Sequence, residues 1–248
     1  MRSFRWLILV VLCLQLVPAA WSQQRIDVPS RAGVTEPVYV YAAANPVASV
    51  VLFPGARGLV GSIYKNNNFL IPVAGQFAAA GITAAVADTP SDHAFGMDPT
   101  FRASEAQAAD AAAIVAFLHG RAAVPVWLIG TSIGTVSAAN AAVRLGPPRI
   151  AGVVLTSSVW TGGMGIVPIS TLRVPVLIVH NRDDGCRSSP FAEAAPAFAT
   201  LTAAPARQLI AVAGGSLRGS PCEALSPHGY YGIEDQVVPP IIAWIKAH

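Results

Sequence analysis

Charged residues are scarce in this chain of 248 residues: Asp, Glu, Lys and Arg make up 12% of it, and 53% of the residues are hydrophobic. No basic patch of the kind that binds nucleic acid is present. The sequence also lacks internal repeats, low-complexity linkers and any group of Cys, His and Asp with metal-ligand spacing. These absences predict one large domain with a substantial core, no nucleic-acid partner, no metal and no other cofactor.

The N-terminal segment 1–22 has the pattern of a secretory signal peptide. Arg2 and Arg5 precede the apolar run 6–17, and small residues follow it up to Ser22. We therefore expect cleavage after Ser22, a single mature domain over residues 23–248, and a periplasmic or secreted protein. The apolar run is short for a membrane span, so we expect no stable membrane insertion after cleavage; a retained anchor is the alternative.

Removal of this segment changes both the charge and the cysteine count. The formal net charge falls from +3 to +1 because Arg2 and Arg5 leave, so the basic character is mostly a targeting signal. Cys13 leaves as well, and Cys186 and Cys222 remain. Two cysteines in an exported chain predict one disulfide between them.

Apolar runs alternate with helical segments along the mature chain. The runs are continuous rather than alternating, which is typical of strands in a parallel sheet covered on both faces. They predict strands at 37–43, 49–55, 81–90, 124–130, 150–158, 174–181 and 207–214. Helices are predicted at 73–80, 101–120, 132–145 and 233–248, with Pro239 and Pro240 kinking the last one or marking its entry. This order predicts an α/β fold with a doubly wound, mostly parallel sheet.

The segment GTSIG, residues 130–134, joins a predicted strand to a predicted helix. The spacing Gly130-x-Ser132-x-Gly134 is that of a nucleophile elbow, a sharp turn that exposes the serine hydroxyl. Glycines on both sides avoid clashes where neighbouring backbone approaches. The pentapeptide alone carries a false-positive risk, but the strand and helix around it are the context that the motif requires. The segment therefore predicts Ser132 as a nucleophile.

A serine nucleophile needs a base, and the base needs an orienting acid. In folds with this elbow the acid and then the histidine follow the serine in the chain. His228 is the predicted base, because the other histidines lie at a helix end, within a strand, at the terminus or before the serine. The acid is Asp183 or Asp184. We choose Asp184, since the strand should end near residues 180–181 and the inward residue usually follows a short bend.

An oxyanion hole needs two backbone N–H donors. One is the N–H of Ile133, directly after the serine. The second should come from the loop that follows the strand 49–55, where Ala56 is the predicted donor and Arg57 the alternative. The glycines of this loop do not form G-x-G-x-x-G, which excludes a dinucleotide site.

The two cysteines flank the predicted acid and base. Cys186 lies two residues after Asp184, and Cys222 lies six residues before His228. A bridge between them would hold the acid loop and the histidine loop in register. The other interpretation is that the disulfide only stabilises the fold, and both interpretations can hold at once.

In chain order, PGARG, GTSIG, VHNRDDGC and SPHGYYGIE resemble the α/β-hydrolase superfamily over nearly the whole mature length. The stretches NNNFLIPVAGQFAAAGITAAVADTPSDH and PVWLIGTSIGTVSAA resemble a subgroup of small exported hydrolases, most of which lack a defined substrate. The resemblance implies an α/β-hydrolase fold and a serine hydrolase acting on an ester or related acyl bond. The chain has Pro54-Gly55 where His-Gly is common in that superfamily, which leaves the second oxyanion donor open.

About 15 residues join the predicted strands 150–158 and 174–181, too few for a lid domain, so we expect an open site. Trp160, Met164, Tyr230 and Tyr231 could contact a substrate or belong to ordinary packing, and the asparagines at 66–68 are interpreted as a turn. The expected substrate is a small-molecule or polymeric acyl compound: ester, thioester, lactone, peptide or polyester. A non-catalytic binding protein with the same fold is the alternative.

Overall fold

A computed structural model of the protein describes residues 23–248, and the predicted signal peptide lies outside these residues. The described residues contain one eight-stranded sheet. Its strands are β1 (Gln23–Pro29), β2 (Thr35–Tyr41), β3 (Ala48–Phe53), β4 (Ile82–Ala87), β5 (Val126–Thr131), β6 (Gly152–Thr156), β7 (Val176–Asn181) and β8 (Arg207–Val212). The α-helices are α1 (Ala74–Ala79), α2 (Pro99–Arg102), α3 (Glu105–Arg121), α4 (Gly134–Leu145), α5 (Ala194–Thr200) and α6 (Glu234–Ala247).

The strands lie in the order β1-β2-β4-β3-β5-β6-β7-β8. The pairs from β4 to β8 are parallel, whereas β1 and β2 add an antiparallel hairpin at one edge. The predicted doubly wound, mostly parallel sheet is therefore confirmed. After β3 the chain goes outward to β4 and then returns to place β5 on the other side of β3. Strand order reverses at this point, so the carboxyl ends of β3 and β5 flank a crevice suited to a ligand.

Helices cover both faces of the sheet, so each central strand is buried on two sides. In β3, Val51 and Phe53 belong to the core on the α3 and α4 side, whereas Val50 and Leu52 belong to the core on the α1 and α6 side. This double burial explains why the strand sequences are continuous apolar runs.

The hairpin strand β1 was not predicted from the sequence. Its residues, QQRIDVP, are mostly polar, and only Val28 is buried. The strand forms at the edge of the sheet by pairing with β2, a tertiary contact that leaves no apolar pattern in the sequence. The short helix α5 was also missed.

Two helix predictions need correction. The predicted helix 101–120 is divided into α2 and α3, because Ser104 is extended and its Oγ accepts the N–H of Gln107 at 3.1 Å, which caps α3. In the terminal helix, Pro239 and Pro240 lie inside α6 and do not mark its entry.

The connection between β6 and β7, residues 157–175, contains two 3-10 turns, Met164–Ile166 and Ile169–Thr171, and no α-helix. The predicted absence of a substantial lid is thus confirmed. Across residues 23–248, no helix combines the length and the apolar character needed to cross a membrane.

Gly152 in β6 packs against the fully buried indole of Trp127 in β5. A Cβ at position 152 would overlap the ring, which has no space to move. We expect Gly152→Ala to lower the free energy of unfolding by about 1–3 kcal/mol, measured by urea denaturation.

The matched control is Gly120→Ala, an exposed site near the end of α3 where a Cβ meets no atom within 4 Å. This change should raise stability by about 0.5–1 kcal/mol, because alanine has the higher helix propensity. A Gly152→Ala protein as stable as the wild type would contradict the packing argument.

Candidate active site

Ser132 lies in the turn between β5 and α4, at the carboxyl edge of the sheet. Its φ of +54° is in the left-handed region, which a serine adopts only when its surroundings hold it there. Its N–H donates to the Thr156 carbonyl at 2.9 Å, and the Thr135 hydroxyl donates to the Ser132 carbonyl at 2.6 Å. These bonds fix the turn that presents Oγ to solvent.

The glycines beside Ser132 are required by close backbone approach. A Cβ at Gly130 would lie 2.5 Å from the Gly134 carbonyl oxygen. A Cβ at Gly134 would overlap the carbonyl oxygen of Phe53, at the end of β3. Both positions must lack a side chain for α4 to begin directly against the sheet.

His228 lies in a 3-10 turn, Pro227–Gly229, ahead of α6. The Ser226 Oγ accepts the His228 N–H at 3.1 Å, and the Ser157 hydroxyl donates to the His228 carbonyl at 2.7 Å. The imidazole is almost completely buried, and its Nε2 lies 2.9 Å from the Ser132 Oγ.

Asp184, in the loop after β7, lies on the other side of this imidazole, with Oδ2 2.8 Å from His228 Nδ1. Burial opposes ionisation of Asp184, but hydrogen bonds from His180 and His228 outweigh it and lower its pKa from 3.8 to about 2. An ionised carboxylate only accepts hydrogen bonds, so Nδ1 carries the proton and donates it. His228 Nε2 is then free to accept the Ser132 hydroxyl.

The adjacent Asp183 points elsewhere. Its Oδ2 accepts the N–H of Gly214, after β8, at 2.6 Å. The structure therefore brings Asp184, and not Asp183, into contact with His228.

A second histidine approaches the same carboxylate. His180, the penultimate residue of β7, is fully buried, and its Nε2 lies 3.0 Å from the Ser189 carbonyl and 3.5 Å from Asp184 Oδ2. The Ser189 Oγ lies 3.1 Å from the same oxygen. The position of His180 within a strand argues against it as the base, but its place next to the acid loop is a sequence signal for this contact.

Ala56 and Ile133, the predicted oxyanion donors, face one cavity with Ser132 and His228. Ala56 follows β3 with φ +50°, and Ile133 is the N-cap residue of α4. Among residues 23–248 neither backbone N–H has a hydrogen-bond acceptor, so both are available to a ligand. Arg57, the alternative donor, does not line this cavity; it lines a neighbouring one that Ala56 and Ile133 also border.

The cavity at Ser132, here called the Ser132 cleft, has a volume of about 400 Å³. One wall is formed by the asparagines 66–68, which the sequence analysis treated only as a turn. The Asn66 amide donates to the carbonyls of Leu59 and Val60 at 3.0 Å and accepts the Asn68 N–H at 2.9 Å. The Asn66 side chain thus closes a short turn to Asn68, and the three asparagines also form a wall of the cleft. Their place after the Ala56 loop is the only sequence signal for the second role.

The predicted disulfide between Cys186 and Cys222 is present, and both residues line the Ser132 cleft. On one side, the Cys186 N–H donates to Asp184 Oδ1 at 2.9 Å. On the other side, the Ser226 Oγ lies 2.9 Å from the Pro221 carbonyl, next to Cys222, and holds the His228 N–H. The bridge therefore joins the two loops that carry the acid and the histidine.

None of the four aromatic and sulphur side chains considered as substrate contacts lines the Ser132 cleft within the described chain. Trp160 and Met164 line a separate apolar cavity of about 450 Å³ beside α5. Tyr230 is fully buried, and its hydroxyl accepts the Ser157 N–H at 2.9 Å and donates to the Val179 carbonyl at 2.8 Å. Burial raises the pKa of Tyr230, so the hydroxyl keeps its proton.

From Gln23 onward, no group of three or more His, Cys, Asp or Glu side chains could hold a metal ion. The chemical groups that meet at this site are the Ser132 hydroxyl, the His228 imidazole, the Asp184 carboxylate and the free backbone N–H groups of Ala56 and Ile133.

No family model matches the sequence, and no curated protein matches it. Several solved structures are similar to the protein. A dienelactone hydrolase from Anabaena variabilis is 17% identical, with 91% of this chain and 98% of that chain covered and a TM-score of 0.68. An alpha-beta serine hydrolase homologue from Coxiella burnetii is 13% identical, with 90% and 96% covered and a TM-score of 0.63. Est1E from Butyrivibrio proteoclasticus, with ferulic acid bound, is 14% identical, with 90% and 98% covered and a TM-score of 0.65.

These likenesses cover nearly the whole described chain and most of each other protein. The fold is the α/β-hydrolase fold, as the sequence analysis expected.

Proposed function

We propose that this protein is a serine hydrolase that cleaves an ester or related acyl bond through an acyl-enzyme on Ser132. One observation carries the proposal: the side chains of Asp184, His228 and Ser132 form a continuous hydrogen-bonded chain with distances of 2.8 and 2.9 Å. The fold that it shares with a dienelactone hydrolase and a serine hydrolase homologue supports the same class of chemistry.

In the first half of the reaction, His228 Nε2 takes the proton from the Ser132 hydroxyl as Oγ bonds to the acyl carbon. The carbonyl π electrons move to oxygen and create a tetrahedral oxyanion. When this oxyanion collapses, the bond to the leaving alcohol breaks and His228 gives its proton to the alcohol oxygen. Asp184 keeps the imidazole oriented and stabilises its positive charge while it holds two protons.

In the second half, a water molecule replaces the alcohol. Nε2 takes a proton from the water, whose oxygen bonds to the acyl carbon, and Ser132 Oγ leaves with the proton returned by His228. One ester and one water give one acid and one alcohol, and no cofactor is consumed. In both halves the N–H groups of Ala56 and Ile133 would donate to the oxyanion.

The substrate class follows from the shape of the site. The Ser132 cleft has a volume of about 400 Å³, combines apolar lining with the polar wall at 66–68, and has no α-helix over it between β6 and β7. A small acyl compound or a polymer chain lying across the edge can therefore reach Oγ. Esters are the primary proposal, with thioesters, lactones, peptides and polyesters as members of the same acyl class.

Export is part of the proposal and rests on the signal-peptide pattern of residues 1–22 together with the Cys186–Cys222 disulfide.

The mature protein should begin near Gln23, as mass spectrometry of periplasmic or secreted material would show. An intact N-terminus in the membrane fraction would contradict export and support the retained anchor.

The nucleophile assignment is tested with a fluorophosphonate probe and p-nitrophenyl esters of graded chain length. Wild type should be labelled and should turn over at least one ester, whereas Ser132→Ala should show neither reaction. Labelling that survives Ser132→Ala would refute the assignment. A folded wild type that reacts with no probe or ester would favour the non-catalytic binding protein.

The adjacent aspartates provide a matched pair for the same assay. Asp184→Asn should lower kcat by up to about 10⁴-fold, because an amide at this position no longer selects the histidine tautomer with the proton on Nδ1. Asp183→Asn, which alters only the contact to Gly214, should cost far less. A larger loss in Asp183→Asn would show that the acid is misassigned.

The disulfide should serve the site as well as stability, because it joins the loops of Asp184 and His228. A Cys186→Ser, Cys222→Ser double variant, assayed at a temperature well below its melting temperature, should have a lower kcat than wild type. A displacement of about 1 Å at a catalytic group can lower the rate 10²-fold. Circular dichroism at the assay temperature checks that the variant is folded. Unchanged kcat with a lower melting temperature would show that the bridge is only a staple.

A further inference from the structure

Arg102, the last residue of α2, is fully buried directly beneath the Ala56 loop. Its Nη2 donates to the carbonyl oxygens of Pro54 at 3.3 Å and Ala56 at 3.2 Å. Its Nη1 donates to the Ser137 hydroxyl oxygen, on α4, at 2.9 Å. One guanidinium thus connects the loop after β3 to the helix that begins behind Ser132.

This cation is buried without a salt-bridge partner among residues 23–248. No carboxylate in residues 23–248 forms a salt bridge with Arg102, and its Nε has no hydrogen-bond partner there. Burial lowers the pKa of Arg102 to about 10, with Glu36 acting in the opposite direction, so the group remains charged at neutral pH. A buried charge that lacks a counter-ion is costly, and an apolar side chain would avoid that cost.

The hydrogen bonds of Arg102 fall around the predicted oxyanion donors. The carbonyls of Pro54 and Ala56 belong to the peptide units on either side of the Gly55–Ala56 unit, which carries the Ala56 N–H. Fixing both neighbouring units fixes the direction of that N–H. The bond to Ser137 ties the loop to α4, whose N-cap residue Ile133 supplies the other donor.

Gly58 allows the loop to close over the guanidinium. A Cβ at this residue would lie 2.7 Å from Arg102 Nη2. The loop and the arginine are therefore packed against each other as one unit.

We propose that Arg102 is a positioning residue for the oxyanion hole: it sets the distance between the Ala56 and Ile133 N–H groups and supplies positive charge behind them. This inference rests on the proposed hydrolase function. Negative charge develops on the substrate oxygen only in the tetrahedral species, so the arginine acts on that species more than on the bound substrate. Its removal should therefore appear in kcat and leave KM nearly unchanged.

The experiment compares wild type with Arg102→Met, Arg102→Lys and the control Arg144→Met, using the p-nitrophenyl ester that wild type turns over best. Arg144 lies on the same helix as Ser137, and its side chain donates to the Asn140 side chain at 2.9 Å without reaching the Ala56 loop. A trifluoromethyl ketone, which forms a tetrahedral anion with a serine nucleophile, serves as the second probe. Circular dichroism and the melting temperature are recorded for each protein.

Arg102→Met should lower kcat by about 10²-fold, similar to the loss of one oxyanion donor, with KM within about threefold of wild type. Affinity for the trifluoromethyl ketone should fall by the same factor as kcat. Arg102→Lys keeps the charge but not the fork of donors, so its kcat should lie between those of wild type and Arg102→Met. Arg144→Met should keep kcat within about threefold of wild type.

A folded Arg102→Met protein with kcat and ketone affinity equal to wild type, even at a lower melting temperature, would overturn the inference and leave the proposed function intact. If Arg102→Met does not fold, Ser137→Ala decides: it removes only the acceptor on α4, and unchanged kcat would also overturn the inference. A wild type that reacts with neither the ester nor the fluorophosphonate probe overturns the proposed function and this inference with it.

Discussion

Gly134 passes the carbonyl oxygen of Phe53 so closely that no side chain fits between the end of β3 and the first turn of α4. Because these two backbone segments touch, the loop that carries Ala56 and the turn that carries Ser132 lie side by side at the reversal of strand order. The left-handed backbone of Ser132 lies within this contact, where hydrogen bonds to Thr156 in the sheet and Thr135 in the helix hold the turn. The position of every other group in the site is set relative to this junction.

The histidine side of the site is held from the core in a comparable way. Ser157, at the end of β6, donates its hydroxyl to the His228 carbonyl and its N–H to the hydroxyl of Tyr230. Tyr230 in turn donates to the carbonyl of Val179 in β7, so His228 is connected to two strands through fully buried groups. The acid side is held by the Cys186–Cys222 bridge. The loops that reach the cleft from different strands are therefore held by contacts to the core or by the disulfide.

The features that could be predicted from the sequence have causes within a short stretch of chain. The positions of the central strands and the mostly parallel sheet follow from continuous apolar runs. The elbow follows from glycines at 130 and 134, where a side chain would collide with neighbouring backbone. The contact between His228 and Asp184 follows from chain order and a strand end. Arg102 and the wall at 66–68 could not be predicted, because their surroundings come from segments far apart in sequence. The partners of His180, Asp184 and Ser189, are close to it in sequence, so its contact with the carboxylate was within reach of a local reading. Arg102 contacts residues of the loop after β3 and of α4, and no local sequence pattern predicts that these segments come together at Arg102.

In the proposed reaction, the short connection between β6 and β7 would also affect the fate of the acyl group on Ser132. Enzymes that close over their intermediates exclude solvent and can deliver the acyl group to a chosen acceptor. Here residues 157–175 contain no α-helix, and the cleft is partly open to solvent. Water at its full concentration would compete with any other alcohol or amine for the acyl carbon. For the proposed reaction, an open edge of this kind would favour hydrolysis over transfer of the acyl group, because the connection between β6 and β7 places no α-helix over the site.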